Sequence, residues 1–175
     1  MICLGVHFSL SDAEVDHLLG IGDDGKRLHY FRQKIEPVYF ADYPERLVED
    51  GTAWDAMHRA LAGEAPSPGE SHYPLDHVVL GGTSLFAGEA FIMRLKAHNQ
   101  VEDVAKAIPA ITHSEFHRRY RSINAADYGG ALNNEDFEQT WHVFETVRTF
   151  WLRAAEEERF VLFTAEGRTD AGSPI

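Results

Sequence analysis

Of the ten histidines in this chain of 175 residues, His58 has the sequence context best suited to acid–base chemistry. It follows Trp54 by four residues and lies one turn before Gly63, which ends a predicted helix. Because the dipole at the C-terminal end of a helix favours a protonated imidazole, we expect His58 to titrate near neutral pH. A general acid or base is held by an orienting carboxylate, for which Asp127 and Asp55 are candidates. The competing interpretation, favoured by the sequence, is a histidine at the edge of the core that hydrogen-bonds to a backbone carbonyl.

Two other short patterns resemble ligand sites. His113 and His117 are four residues apart on a predicted helix, a spacing that can chelate a metal ion. However, Glu115 does not directly follow the first histidine, where zinc proteases place the general base. The stretch 81–84 (Gly-Gly-Thr-Ser) offers backbone amides to an anion but lacks the lysine of a phosphate-binding loop. The sequence therefore predicts neither a metal nor a cofactor, and it contains no complete catalytic set.

The charge of the chain limits the partners that it can bind. Its 16 basic and 28 acidic residues give a formal net charge of −12. The electrostatic field of such a negative charge repels nucleic acid and anionic lipid, and it speeds the encounter with a basic protein. Solubility alone is the simpler explanation of this charge, and a basic protein is the possible partner that the charge would favour. We predict no binding to nucleic acid or to a membrane. The oligomeric state stays open.

The location of the protein is predicted from what the sequence lacks. No stretch approaches the ~20 apolar residues that a membrane-spanning helix requires, and the first ten residues lack the basic start of a signal peptide. With Cys3 as the single cysteine, no intrachain disulfide can form. We therefore expect a cytoplasmic protein in a reducing environment.

The element expected to organise the fold is a long helix over 134–158. Its apolar residues recur every three or four positions, which aligns them on one side of a helix. That side includes Trp141 and Trp151, and we expect both rings to be buried. Capping residues and the same apolar spacing predict five shorter helices, at 11–19, 28–35, 52–62, 99–108 and 112–123. A single helical turn is predicted at 44–50.

Short apolar stretches predict the strands, at 2–8, 37–40, 75–80, 90–95 and 160–164. These strands are few and unevenly spaced, so they do not form a regular series of β–α–β units. We therefore predict an α+β fold, a single domain over 1–165 with several helices packed on a small mixed sheet. A polar tail over 166–175 is expected to follow. The proline-containing stretch 64–73 is predicted to be an exposed loop.

Three stretches of the chain resemble landmarks of a known family. Residues 54–63 (Trp-Asp-Ala-Met-His-Arg-Ala-Leu-Ala-Gly) resemble the Trp-x-x-Leu-His-x-x-Leu-x-Gly helix of the YfbM-like proteins, a bacterial family known as domain of unknown function 1877. Residues 80–82 (Leu-Gly-Gly) and 144–161 resemble two further landmarks, and the likeness extends from residue 1 to about 165. The chain departs from the pattern at Met57, where leucine is usual, and at Gly129, where proline is usual.

The resemblance implies a small bacterial α+β domain without an established activity, and it carries over no catalytic residues. Trp54 and His58 occupy its most recognisable positions. Asp127 and Tyr128 lie in the predicted loop where the sequence departs from the family pattern. We take these four residues as the candidate pocket.

Three hypotheses about function remain. The first and favoured one is a non-enzymatic binding protein, such as an inhibitor or immunity protein that covers a basic toxin. The alternative is an enzyme for a small molecule that uses His58 as acid–base, which requires His58 to face a pocket. The third is a structural or regulatory domain without a small ligand.

Overall fold

A computed structural model of the protein describes residues 2–63, 72–88 and 91–168. Most of the predicted loop over 64–73, namely 64–71, lies outside these residues, and so do residues 169–175 of the predicted tail. The elements follow in the order β1 (Ile2–Leu10), α1 (Asp12–Gly20), α2 (Asp24–Tyr30), α3 (Glu36–Asp42), β2 (Leu47–Gly51), α4 (Ala53–Ala62), β3 (Thr83–Ser84), β4 (Phe91–Lys96), α5 (His98–Ala107), α6 (His113–Tyr120), α7 (Asn134–Glu156) and β5 (Phe160–Arg168). The predicted α+β fold is confirmed.

The strands form one five-stranded sheet in the order β2-β1-β5-β4-β3. Each of its pairings is antiparallel, so the sheet is not mixed as we predicted. The longest pairing joins β1 to β5, from Ile2 opposite Arg168 to Leu10 opposite Phe160. Because β1 offers a backbone partner along this whole length, β5 continues beyond residue 165. The polar tail therefore does not begin at residue 166.

Helices cover both faces of the sheet and form two cores. Side chains alternate across a strand, and in β1 Phe8 and Leu10 face the core formed with α1, α3 and the π-helical segment Phe31–Ile35. His7 and Ser9 point to the opposite face, where α4, α5, α6 and α7 pack on the sheet. The larger core thus lies between the sheet and these four helices.

Helix α7 is the long helix that the sequence predicts, and it ends two residues earlier than expected. The side chain of Asn133 caps its start by accepting a hydrogen bond from the backbone N–H of Asp136 at 2.9 Å. Trp151 is fully buried, as predicted. Trp141 is only half-buried, so our expectation of a buried ring is wrong there; the ring packs against Phe116 of α6, and the Arg148 guanidinium lies 5.7 Å from its centroid.

Two predicted strands and one predicted helical turn are wrong. Residues 75–80 begin with a 3-10 turn, Leu75–Val78, and residues 37–40 lie within α3. Residues 44–50 form a shorter 3-10 turn, Pro44–Arg46, followed by β2. A short apolar run is compatible with a strand or a buried turn, and only its tertiary partners decide between them. Within the residues that the structure describes, no helix is long and apolar enough to cross a membrane.

Candidate functional site

A cleft of about 720 Å³ lies between α4 and the segment that leads into α7, and we call it the α4 cleft. Three of the four predicted pocket residues line it: Trp54, His58 and Tyr128. The remaining walls are formed by Thr52, Asp55, Arg59, Gly63, Leu80, Gly129, Gly130 and Asp136.

Helix α4 presents polar residues to the cleft because its apolar side faces the core. Trp54, Met57 and Leu61 are buried, at spacings of three and four residues. Gly63 ends the helix with a φ of 69°, a conformation that glycine adopts without strain. On the cleft side, the Asp55 carboxylate accepts a hydrogen bond from Arg59 Nε at 2.7 Å, four residues further on.

Trp54 lines the cleft although the residue is only 9% exposed. The ring packs on Gly5 of β1 and lies 5.7 Å from the Phe163 ring of β5. A Cβ atom at Gly5 would lie 2.8 Å from Trp54 Cδ1, so the missing side chain makes room for the indole. Trp54 therefore joins α4 to the sheet, and its role in the pocket stays a prediction.

His58 is half-buried in the wall of the cleft. Its Nδ1 atom is buried and has no hydrogen-bond partner among the described residues. Burial lowers the pKa of His58 from 6.5 to about 4, and the nearby carboxylates of Asp55 and Asp76 only partly oppose this effect. Our expectation of titration near neutral pH is therefore wrong, because loss of solvation outweighs the dipole of the helix. The favoured alternative, a hydrogen bond to a backbone carbonyl, is not found at Nδ1 within the part of the chain that the structure describes.

We expect His58 to make the folded protein sensitive to acid. Its folded pKa of about 4 lies below the unfolded value of 6.5, so stability is complete above pH 6.5 and is lost as the pH falls through 4. The loss should be about 2 kcal/mol, after allowance for the solvent beside the half-buried ring. Urea unfolding of wild type and His58→Gln at several pH values measures it. Parallel curves for the two proteins would contradict this prediction.

Tyr128 is held at the cleft by Asp136, the third residue of α7. The Tyr128 hydroxyl donates to the two carboxylate oxygens of Asp136 at 3.1 and 3.0 Å, and the hydroxyl of Tyr120 donates to the same carboxylate. Burial, together with the charge of Asp136, raises the pKa of Tyr128 well above its usual range. Asp136 thereby joins α6, α7 and the connecting segment between them.

Asp127, the fourth predicted residue, does not line the α4 cleft. It borders an adjacent cavity of about 190 Å³ that shares Arg59 and Gly63 with the cleft. Its carboxylate accepts a hydrogen bond from Asn124 Nδ2 at 2.7 Å. Asp127 and His58 thus line different cavities, and Asp55, the other candidate orienting group, is paired with Arg59.

The charged groups in the cleft leave a negative surplus. Asp55 and Asp136 contribute two carboxylates, and Arg59 contributes one guanidinium. His58 is neutral at pH 7 because its pKa is about 4. Asp136 lies outside the predicted pocket, because the helix dipole is a sufficient explanation for acidic residues at the start of a helix. The spacing of Asp55 and Arg59, four residues apart, was the available signal for their pairing.

A second group of polar residues is buried between the sheet and the layer formed by helices α4 to α7. His7 Nε2 lies 2.7 Å from the carbonyl of Val78, and His7 Nδ1 lies 3.0 Å from Asp50 Oδ2 without the alignment of a hydrogen bond. Both side chains are fully buried. The buried amine of Lys96 donates to the carbonyl of Val79 at 2.5 Å, and burial holds its pKa well below the usual range. These three residues have no signal in the sequence beyond their types.

The predicted helix α6 does carry His113 and His117, with ring centroids 6.5 Å apart. The His113 ring packs edge-on against Phe137 and Trp141. Across ranges 2–63, 72–88 and 91–168, no group of three or more histidine, cysteine, aspartate or glutamate residues is placed to hold a metal ion.

Comparison with known proteins relates this fold to one family. The family described as "Domain of unknown function (DUF1877)" matches residues 1–164. The crystal structure of YfbM from Escherichia coli, a protein of unknown function, is similar to this chain with a TM-score of 0.65 and 14% sequence identity. That match covers 93% of this chain and 99% of YfbM, while a comparison with the curated proteins finds no match. Since the family matches nearly the whole sequence, as its landmarks predicted, the chain belongs to the DUF1877 family.

Proposed function

We propose that this protein is a non-enzymatic binding protein of the bacterial cytoplasm, an inhibitor or immunity protein whose α4 cleft receives a positively charged side chain of a basic toxin. The observation that carries the proposal is the cleft itself, whose described lining combines two carboxylates and the aromatic side chain of Tyr128 with a single cation, Arg59. Carboxylates and aromatic rings both attract a cation.

Asp55 is the residue best suited to meet that cation. Its side chain is 31% exposed, and only Oδ1 is used in the hydrogen bond to Arg59. Asp136, in contrast, already accepts hydrogen bonds from two tyrosines. A lysine or arginine of the partner can therefore pair with Asp55 while its stem packs against Tyr128.

The charge of the whole chain supports the same partner. A net charge of −12 attracts a basic protein over a distance that depends on salt, and it raises the rate of association. The charge is spread over the chain, whereas the cleft supplies a defined place for contact. Together they favour a basic macromolecule over an anionic ligand.

The alternative, an enzyme that uses His58 as acid–base, has one observation in its favour, since His58 lines the cleft. With a pKa of about 4, however, the imidazole is almost always neutral at pH 7 and is a weak base. Its two candidate orienting carboxylates pair with Arg59 and Asn124. These contacts favour binding over acid–base catalysis.

Capture of the partner tests the proposal. We expect the immobilised protein to retain a basic protein from a lysate of its host at roughly 0.05 M salt and to release it at roughly 0.5 M. Asp55→Asn should weaken retention about tenfold, because a charged contact in the cleft is lost. Asp16→Asn, which makes the same charge change on the exposed side of α1, is the matched control and should retain the partner. Retention of no basic protein, or equal retention by Asp55→Asn, would refute the proposal.

A further inference from the structure

We infer that the free edge of β2 is a docking surface for an extended, positively charged segment of a partner protein. Among the strands that the structure describes, β2 is at the edge of the sheet and pairs with β1 alone. In the described chain, its residues make no backbone–backbone hydrogen bonds beyond that pairing. An unpaired strand edge readily accepts an added strand, whose backbone supplies most of the binding energy.

A groove of about 500 Å³ lies between β2 and α7, where an added strand would need space for its side chains. Leu47 and Val48 of β2 and Phe150 of α7 give the groove an apolar part. Alternate side chains of an extended segment point to the same face. Every second residue of the added strand therefore faces this groove, which suits a β-branched or other compact apolar side chain.

The charges around the groove favour a basic occupant. Glu45 and Glu145 line it, and Glu49 is exposed on β2 itself. Arg153 also lines the groove, and Arg148 lies 3.7 Å from Glu145, so these two guanidinium groups balance the two carboxylates of the groove. Glu49, on the opposite face of β2, supplies the surplus negative charge of this edge. A second copy of this chain would bring the same carboxylates and a net charge of −12 to the edge. Repulsion therefore disfavours pairing of two β2 edges and favours a basic segment.

This surface is distinct from the α4 cleft, although β2 ends one residue before Thr52 in the cleft wall. The inference goes beyond the proposed function, because strand addition at β2 does not require a cation in the cleft. It also specifies a different property of the partner, an extended backbone with alternating basic and apolar side chains.

Peptide binding measured by fluorescence anisotropy tests the inference on the full chain. The probe is a labelled peptide of about eight residues in which lysine and valine alternate, a typical strand length. A second peptide carries N-methyl groups on alternate backbone amides, which removes strand hydrogen bonds and leaves the side-chain charges. We expect the first peptide to bind and the methylated peptide to bind at least about tenfold more weakly, since backbone pairing supplies the affinity.

Two variants on α7 locate the site. Glu145→Lys should lower the affinity for the unmethylated peptide about tenfold, because it reverses a charge in the groove. Glu138→Lys makes the same change two turns earlier on α7, at an exposed residue that does not line the groove, and should leave affinity within about twofold. Asp55→Asn should also leave it unchanged, which separates this result from the test of the α4 cleft. The inference is overturned if the peptide does not bind, if methylation has no effect, or if the two lysine variants weaken binding equally.

Discussion

Replacing Trp151 with alanine should lower the free energy of unfolding by about 4 kcal/mol, the range expected for removal of a buried tryptophan. Trp151 lies on the buried side of α7 and is 0% exposed. Its ring contacts the His7 ring of β1 edge-on, with centroids 6.2 Å apart. The substitution therefore opens a cavity where the long helix meets the sheet, and urea unfolding followed by circular dichroism measures the loss.

Two further variants sharpen this test. Trp141→Ala on the same helix should cost only about 1–2 kcal/mol, because that ring is half-buried. Trp151→Phe should cost less than Trp151→Ala, since phenylalanine fills much of the space. It also removes the indole N–H, which is buried and has no hydrogen-bond partner within the described residues. If Trp141→Ala destabilises the protein more than Trp151→Ala, the assignment of the core is wrong.

Replacing Asp50 with alanine should cost about 1–3 kcal/mol, the usual result of leaving a buried polar group without a polar neighbour. Asp50 and His7 are 3.0 Å apart at Oδ2 and Nδ1, and both side chains are fully buried. Loss of the carboxylate leaves His7 Nδ1 without its polar neighbour in a position that water does not reach. The ring cannot turn away freely, since Nε2 is within hydrogen-bond distance of the Val78 carbonyl.

The neighbouring residue provides the control for Asp50. Glu49→Ala removes a carboxylate from the exposed side of the same strand and should change stability by no more than about 0.5 kcal/mol. Asp50→Asn keeps the volume and polarity of the side chain, so its cost should lie between those of the two alanine variants. An Asp50→Ala loss below about 1 kcal/mol, within the range of surface changes, would contradict the importance of the pair.

The sequence predicted the elements whose causes are local. The Ser11–Glu14 capping box starts α1, Thr112 caps α6, and the apolar spacing along α7 defines its buried side. The family and the α+β fold also follow from short stretches of sequence. The pairing of β1 with β5 could not be read from either strand alone, and it extends β5 into the predicted tail.

The candidate site was only partly predictable. The landmark helix placed Trp54 and His58 in α4, one helical turn apart, and both line the cleft. Tyr128 reaches the same cleft through its hydrogen bond to Asp136, which local pattern did not suggest. Asp127 adjoins Tyr128 in the chain and yet borders another cavity, because its carboxylate accepts a hydrogen bond from Asn124.

The sequence by itself thus determined the helices, the family and the residues of α4, which depend on interactions within a few positions along the chain. The tertiary structure decided burial, and with it the chemistry. His58 has a pKa of about 4 because the elements packed around it remove much of its solvation. His7 Nε2 lies 2.7 Å from the carbonyl of Val78, a residue 71 positions away in the sequence. Solvation and long-range contacts depend on how distant elements pack, and local sequence carries little information about that packing.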